Sequence, residues 1–155
     1  MKILVEYPSR EELSRIVDRS IQRDEPELRQ VITRDEILEL RAVRHKVVVA
    51  PHIREFAVSL VLATQPGTSD AHPLANKYIR YGASPRGAQA LVECGRVHAL
   101  MAGRYHLAAE DIRKVAPAVL RHRIILNFDA HADGQNAETV VREVIDSVGA
   151  TMAKV

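Results

Sequence analysis

The sequence predicts a mainly α-helical bundle with short extended segments, and three observations carry that expectation. Apolar residues recur at helical spacing in several separate stretches, most cleanly as Ile53, Phe56, Ala57, Leu60, Val61 and Thr64, which is one face of a 3.6-residue period. Helix-start signatures precede those stretches. Ser9 with Glu12 and Thr33 with Glu36 form S/T-x-x-E capping boxes, and Pro51 and Pro85 stand where a first helical residue tolerates a missing N–H. The β-type runs, by contrast, are only a few residues long. The pattern amounts to about six helices, with no internal repeat and no low-complexity tract.

Each element follows from the same signals. Residues 2–7 (KILVEY) form a β-type run closed by Tyr7-Pro8-Ser9. The first capping box opens a helix over 10–22 with Leu13, Ile16, Val17 and Ile21 at helical spacing, and Asp24-Glu25-Pro26 breaks it. Residues 28–32 make a connector. A second helix over 34–45 is expected to bury Ile37, Leu38, Leu40 and Val43, with Val47-Val48-Val49 either extending it or forming a short buried connector. The third helix opens at Pro51. Residues 66–77, with Gly67, Ser69, Asp70 and Pro73, read as a polar loop. The fourth helix runs over 85–102 with an inward face of Ala88, Leu91, Val92, Gly95, Ala99 and Ala102, and Gly103 caps its end. A short extended piece at 105–107 leads to a fifth helix, entered at Ala108 or Ala109 without a strong N-cap residue, which Pro117 should kink or end early. Residues 123–128 (RIILNF) look extended, 129–136 form a turn, and a last helix over 137–148 ends at Gly149.

Composition narrows the function classes. A chain of 155 residues suits one domain, or one domain with a short appendage, and can bury a real core. With 22 Lys and Arg against 20 Asp and Glu, the net charge of +2 argues against a nucleic-acid-binding stripe, and 4% aromatic content without Trp leaves few base-stacking platforms. A helix-turn-helix would need a far tighter turn than the stretch between the third and fourth helices. The single Cys94 excludes an internal disulfide and, with no signal peptide ahead of the first strand-like run, points to the cytoplasm. No apolar run approaches the ~18 residues of a membrane span. The sequence contains no G-x-x-x-x-G-K-[ST] loop, no H-x-x-x-H, no Cys pair and no G-x-S-x-G. The scattered histidines therefore read as structural, and Cys94 as a small packing residue.

One stretch stands apart chemically: Tyr81-Gly82-Ala83-Ser84-Pro85-Arg86-Gly87-Ala88. Ser84 is placed to N-cap the fourth helix, Pro85 to take its first position, and Gly82 to permit a sharp entry turn. Arg86 in the first turn opposes the helix dipole by roughly 0.3–1 kcal/mol. A helix N-terminus with a guanidinium is a strong phosphate site, so an anion docking there would account for the placement. An arginine whose side chain bends away into solvent would account for it too.

Residues 81–87 (YGASPRG) resemble the G-A-S-P-R segment of the MoxR family of AAA+ ATPases, and further segments agree in type and order. Residues 7–12 (YPSREE) resemble the entry to that family's small domain. Residues 103–107 (GRYHL), followed by Glu110-Asp111-Ile112, resemble its G-R-x-Y-V-x-x-x-D-V, and residues 119–124 (VLRHRI) resemble its V-L-R-H-R-I. Two small departures are Gly87, where alanine is common, and residues 106–109 (HLAA) in place of a V-T-P pattern.

The resemblance implies an AAA+ lid-type helical bundle over 9–155, with residues 1–8 as the remnant of the last strand of an ATPase core plus the junction. Such a strand stub, detached from its sheet, is expected to be frayed or paired with another copy. The core's P-loop, magnesium-binding acids and arginine finger would lie upstream of Met1, so this chain alone should be inactive as an ATPase. Arg86 stands where the family has its sensor-2 arginine, the catalytic contact to the γ-phosphate of ATP held by that core. Ser84 would face the nucleotide beside it, and Tyr7 and Pro8 are placed for the wall around adenine. The implied cofactor is ATP, with its magnesium held by the core and only weak binding to this chain. The implied partners are the core itself, further copies in a homo-hexamer, and a von Willebrand factor A domain protein, in ATP-dependent chaperone-like remodelling. His122 and Arg123 are assigned packing or capping work. The alternative is a stand-alone helical protein-interaction module without ATPase activity.

Overall fold

The computed structural model describes residues 1–22 and 27–152. Among them are eight α-helices, a 3-10 turn and two short strands, so the expectation of a mainly helical fold holds while the count of about six is low. The core is built around α5 (Pro85–Met101) and α6 (Ala109–Leu120). These two run antiparallel: Gly87 near the start of α5 lies against Leu120 at the end of α6, and His98 near the end of α5 bonds Asp111 at the start of α6. Helices α3 (Pro51–Leu62) and α8 (Ala137–Met152) pack against this pair. Phe56, Leu60, Leu91, Ile112, Leu120 and Val140 are fully buried between them. The face expected for α3 is the buried one, with Thr64 just past its end and also buried.

The N-terminal third departs from expectation. Helix α1 (Arg10–Gln22) has the expected bounds and starts on the Ser9–Glu12 capping box, but buries no residue. The break expected at Asp24-Glu25-Pro26 lies outside the described residues. Helix α2 (Arg34–Val43) is shorter than expected and gives way to a 3-10 turn over Arg44–Lys46. Its capping box at Thr33 and Glu36 is complete, yet Ile37, Leu38 and Leu40 are exposed, Leu40 by 61%. The amphipathic pattern made the helix, and although Val97, Leu100 and Met101 of α5 line a shallow cavity with Ile37 and Leu40, they leave that face largely open. Residues 2–7 form no strand, because no partner strand lies alongside. The backbone N–H of Lys2 donates instead to the Ala118 carbonyl at 2.9 Å. Val47 is buried, and Val48 bridges to His106 through Val48 N–H to Tyr105 O and Leu107 N–H to Val48 O, both 2.9 Å.

Two stretches expected as loop or turn contain helices. Within 66–77, α4 (Pro73–Tyr78) starts on His72, whose Nδ1 accepts the Leu74 N–H at 3.2 Å. Most of α7 (Phe128–Ala132) falls in the turn expected over 129–136, its first residue being the end of the expected extended run, and it starts on Asn127, whose Oδ1 accepts the Ala130 N–H at 3.0 Å. Between these helices sits a small antiparallel sheet of β1 (Ile79–Tyr81) and β2 (Ile125–Leu126), with Ile79 opposite Leu126 and Tyr81 opposite Ile125. Only β2 had a counterpart in the sequence reading.

Pro117 does not end α6, which continues to Leu120. One lost i to i−4 bond is offset by burial of Val115, Ala116, Val119 and Leu120 on either side. Gly149 does not end α8. Its carbonyl accepts from Arg113 Nη2 at 3.0 Å, and the helix runs on to Met152. Ala102, expected on the inward face of α5, is exposed, whereas Gly103 does adopt the left-handed conformation at φ 72° that closes the helix.

Candidate functional site

The chain reaches the start of α5 through β1, Gly82 and Ala83. Gly82 is required for close approach rather than for a left-handed turn, since a Cβ there would collide with the Thr64 carbonyl and sit 2.8 Å from the Gln65 side chain. Ala83 is fully buried and both of its backbone groups are held from the end of α3. Its N–H donates to Thr64 Oγ1 at 3.0 Å, and its carbonyl accepts from Gln65 Nε2 at 2.6 Å. The Thr64 hydroxyl in turn donates to the Val61 carbonyl at 2.7 Å, which leaves its oxygen free to accept from Ala83.

Ser84 occupies the N-cap position with extended backbone, φ −69° and ψ 168°, and Pro85 takes the first helical position as expected. The expected side-chain cap is absent, because the Ser84 hydroxyl accepts no helix N–H, and the first turn is closed by the backbone bond from Gly87 N–H to Ser84 O at 2.7 Å. Arg86 is exposed, and among the described residues its guanidinium makes no hydrogen bond or ion pair. Gly87 is buried where a Cβ would lie 3.3 Å from both Ala83 Cβ and Val61 Cγ2, so glycine at this position lets α5 pack tightly on α3.

The end of α6 lies beside this helix start. Arg123 Nη1 donates to the Val119 carbonyl and to His122 Nε2, each at 2.5 Å, which ties down the last turn of α6. Arg121 pairs with Glu138 at 2.8 Å and donates to the Lys2 carbonyl at 3.2 Å. Burial first, then the neighbouring Arg123, N-terminal amine, Lys2 and Arg121 charges, push the His122 imidazole below its ordinary pKa. The capping role expected of Arg123 is thus visible. Tyr7 is 86% exposed and Pro8 half-buried, and among the described residues neither hydrogen-bonds Ser84 or Arg86. The structure groups Ser84 and Arg86 at one helix start. The N-terminal segment is anchored through Lys2 at the same end of the α5–α6 pair.

At the opposite end of that pair lies a polar cluster the sequence reading missed. Asp111 is fully buried; its carboxylate accepts from Arg104 Nη1 at 2.8 Å and Nη2 at 2.5 Å, from His98 Nδ1 at 2.7 Å and from the Ala108 N–H at 2.9 Å. The last bond compensates for the absent N-cap side chain at Ala108. Burial alone would raise the Asp111 pKa, but bonds from Arg104, Ala108 and His98 hold it well below the usual carboxylate range. The available signal was an Arg and an Asp bracketing a tight turn. No group of His, Cys, Asp and Glu able to hold a metal occurs among the described residues, and no helix there is long and apolar enough to cross a membrane.

Comparison with known proteins decides the class. Residues 72–144 match the AAA lid domain family. Over 151 residues the chain is 32% identical to Chaperone MoxR1 of Mycobacterium tuberculosis, an alignment covering 95% of this chain and 39% of that protein. The chain carries an AAA lid domain and is homologous to the MoxR proteins. The lid is also 37% identical over 89 residues to Protein MoxR of Methylorubrum extorquens, covering 55% of this chain and 26% of that one. A crystal structure from Cytophaga hutchinsonii, of a protein assigned as an ATPase, superposes with a TM-score of 0.81 at 28% identity over 94% of this chain and 44% of its own. The lid therefore spans less than half the length of each of these proteins.

Proposed function

We propose that this chain is the nucleotide-responsive lid of a MoxR-type AAA+ ATPase, with Arg86 as its sensor-2 arginine. The observation that carries this reading is the state of the α5 N-terminus: an exposed, unpartnered guanidinium in the first turn of a 17-residue helix whose N-cap hydroxyl satisfies no helix N–H. A cation placed against the dipole, at a helix start whose capping hydroxyl is unused, suits an incoming phosphate. Arg86 and the Ser84 end of α5 would meet the γ-phosphate of ATP, and Arg86 would neutralise charge that develops there during phosphoryl transfer. Tyr7 and Pro8 would flank the base from the junction.

The chain contains no P-loop, so those groups and the magnesium ligands belong to a core domain. In this reading the intact protein works in the cytoplasm as a homo-hexamer in chaperone-like remodelling, alongside a von Willebrand factor A domain partner. The exposed apolar faces of α1 and α2 favour a protein neighbour, which the core would supply here. A stand-alone interaction module would use the same faces for an unrelated partner.

The test is Arg86→Ala in the intact protein. ATP turnover should fall on the order of a hundredfold, the loss typical of removing one preorganised charge-stabilising donor. The melting temperature should stay unchanged because Arg86 is exposed and makes no hydrogen bond or ion pair among the described residues. Normal turnover in the variant would remove the sensor assignment.

A further inference from the structure

We propose that Thr64 and Gln65 are positioning residues for Arg86: a two-residue clasp from the end of α3 that sets where the α5 N-terminus points. The inference rests on the reading of Arg86 given above. Three features of the structure carry it. The clasp engages both backbone groups of one residue, Ala83, with the N–H held by Thr64 Oγ1 at 3.0 Å and the carbonyl by Gln65 Nε2 at 2.6 Å. It grips the chain three residues ahead of Arg86, at the last buried point before the exposed helix start. It also admits no slack. Thr64 is fully buried with its own hydroxyl committed to the Val61 carbonyl, and Gly82 leaves no room for a Cβ against the Thr64 backbone.

A clasp at this point does more than stabilise a loop. Among the described residues Arg86 has no side-chain partner to aim it, so its reach is set by the direction of the first turn of α5. That direction is set by Ala83 and by Ser84, whose hydroxyl makes no capping bond. The helix start is further constrained by the packing of Gly87 on Val61 and Leu120, by the pairing of Tyr81 with Ile125, and by the two bonds to Ala83. Displacing a catalytic group by about 1 Å through a change remote from the chemistry lowers rate by up to roughly a hundredfold. A buried hydroxyl that both donates and accepts, on a residue whose position in the helical pattern calls for an apolar side chain, is also better explained by this duty than by packing alone.

The experiment uses the full-length protein with ATP as substrate, and compares Thr64→Val, Thr64→Ser and Gln65→Met, each alone and with Arg86→Ala. The expected result is a kcat lowered about tenfold or more by Thr64→Val and by Gln65→Met with KM little changed. Thr64→Ser, which keeps the hydroxyl, should retain activity. In the Arg86→Ala background neither clasp variant should lower kcat further, because the clasp acts through that arginine. Gln65→Met, at a half-buried position, carries the same test if Thr64→Val does not fold. If Arg86→Ala slows turnover while the folded clasp variants leave kcat unchanged, or lower it equally in both backgrounds, the clasp is overturned and the sensor reading stands. If Arg86→Ala itself leaves turnover normal, the reading beneath the clasp fails and the clasp falls with it.

Discussion

Asp111 shows how much one side chain can couple in this lid. It joins the end of α5 through His98, the turn after it through Arg104, and the start of α6 through the Ala108 amide. Breaking such a buried pair by removing one partner destabilises by about 3–5 kcal/mol, so Asp111→Ala should lower unfolding free energy by that order in urea titrations at pH 7. The pH dependence has a definite sign. A carboxyl depressed in the folded state stabilises fully above its unfolded pKa, near ~4, and that contribution is lost as pH falls through the folded value. Asp111→Asn should therefore lose less stability than the wild type between pH 5 and pH 2, which parallel denaturant curves across that range would measure. Equal slopes for the two proteins would remove Asp111 from the acid response. Arg86 contrasts with it: a charge with no partner among the described residues, whose removal should leave stability unchanged and, on the proposed sensor role, register in turnover.

Among the elements, α2 and α5 answer differently to the same kind of pattern. Both carry apolar residues at helical spacing, but Leu91 on α5 is fully buried while Leu40 on α2 is exposed. Leu91→Ala should accordingly destabilise by about 2–5 kcal/mol, through lost burial and the cavity left behind. Leu40→Ser should stay within about 0.5 kcal/mol in the isolated chain, read by the same thermal or urea melts. Periodicity announces an apolar face without saying what covers it. The same limit explains α1, whose capping box and bounds were legible while its lack of burial was not. The short helices α4 and α7 were hidden for another reason. Their starts rest on His72 and Asn127, single caps without a long apolar repeat behind them. Asn127 reads as an interruption of an apolar run until its amide is seen donating to the Lys77 carbonyl at 2.7 Å as well.

At the scale of the whole molecule, the antiparallel α5–α6 pair has distinct ends. One end carries Arg86, the tied-down close of α6 and the docked Lys2; the other carries the Asp111 cluster. This division lets the fold be stabilised at one end and present an unsatisfied cation at the other. The purified chain by itself should release no phosphate from ATP above background in a coupled assay, since this sequence contains no phosphate-cradling loop. Turnover by the chain alone would contradict the proposed division of labour between lid and core.

The features that could be read from residue order alone are those written within about one helical turn: capping boxes at Ser9 and Thr33, prolines opening α3 and α5, the glycine closing α5, and the Ser84-Pro85-Arg86 helix start. They are local because the groups that interact are neighbours in the chain. Family motifs added the lid resemblance. What required the folded molecule was every pairing across distance: β1 with β2, Arg104 and His98 on Asp111, the uncovered faces of α1 and α2, and the grip of Thr64 and Gln65 on a residue 19 and 18 positions away. Thr64 looked like the last turn of an apolar stripe. Its hydroxyl gained a purpose once packing of α3 against α5 brought the Ala83 amide to it, and no local pattern encodes that approach.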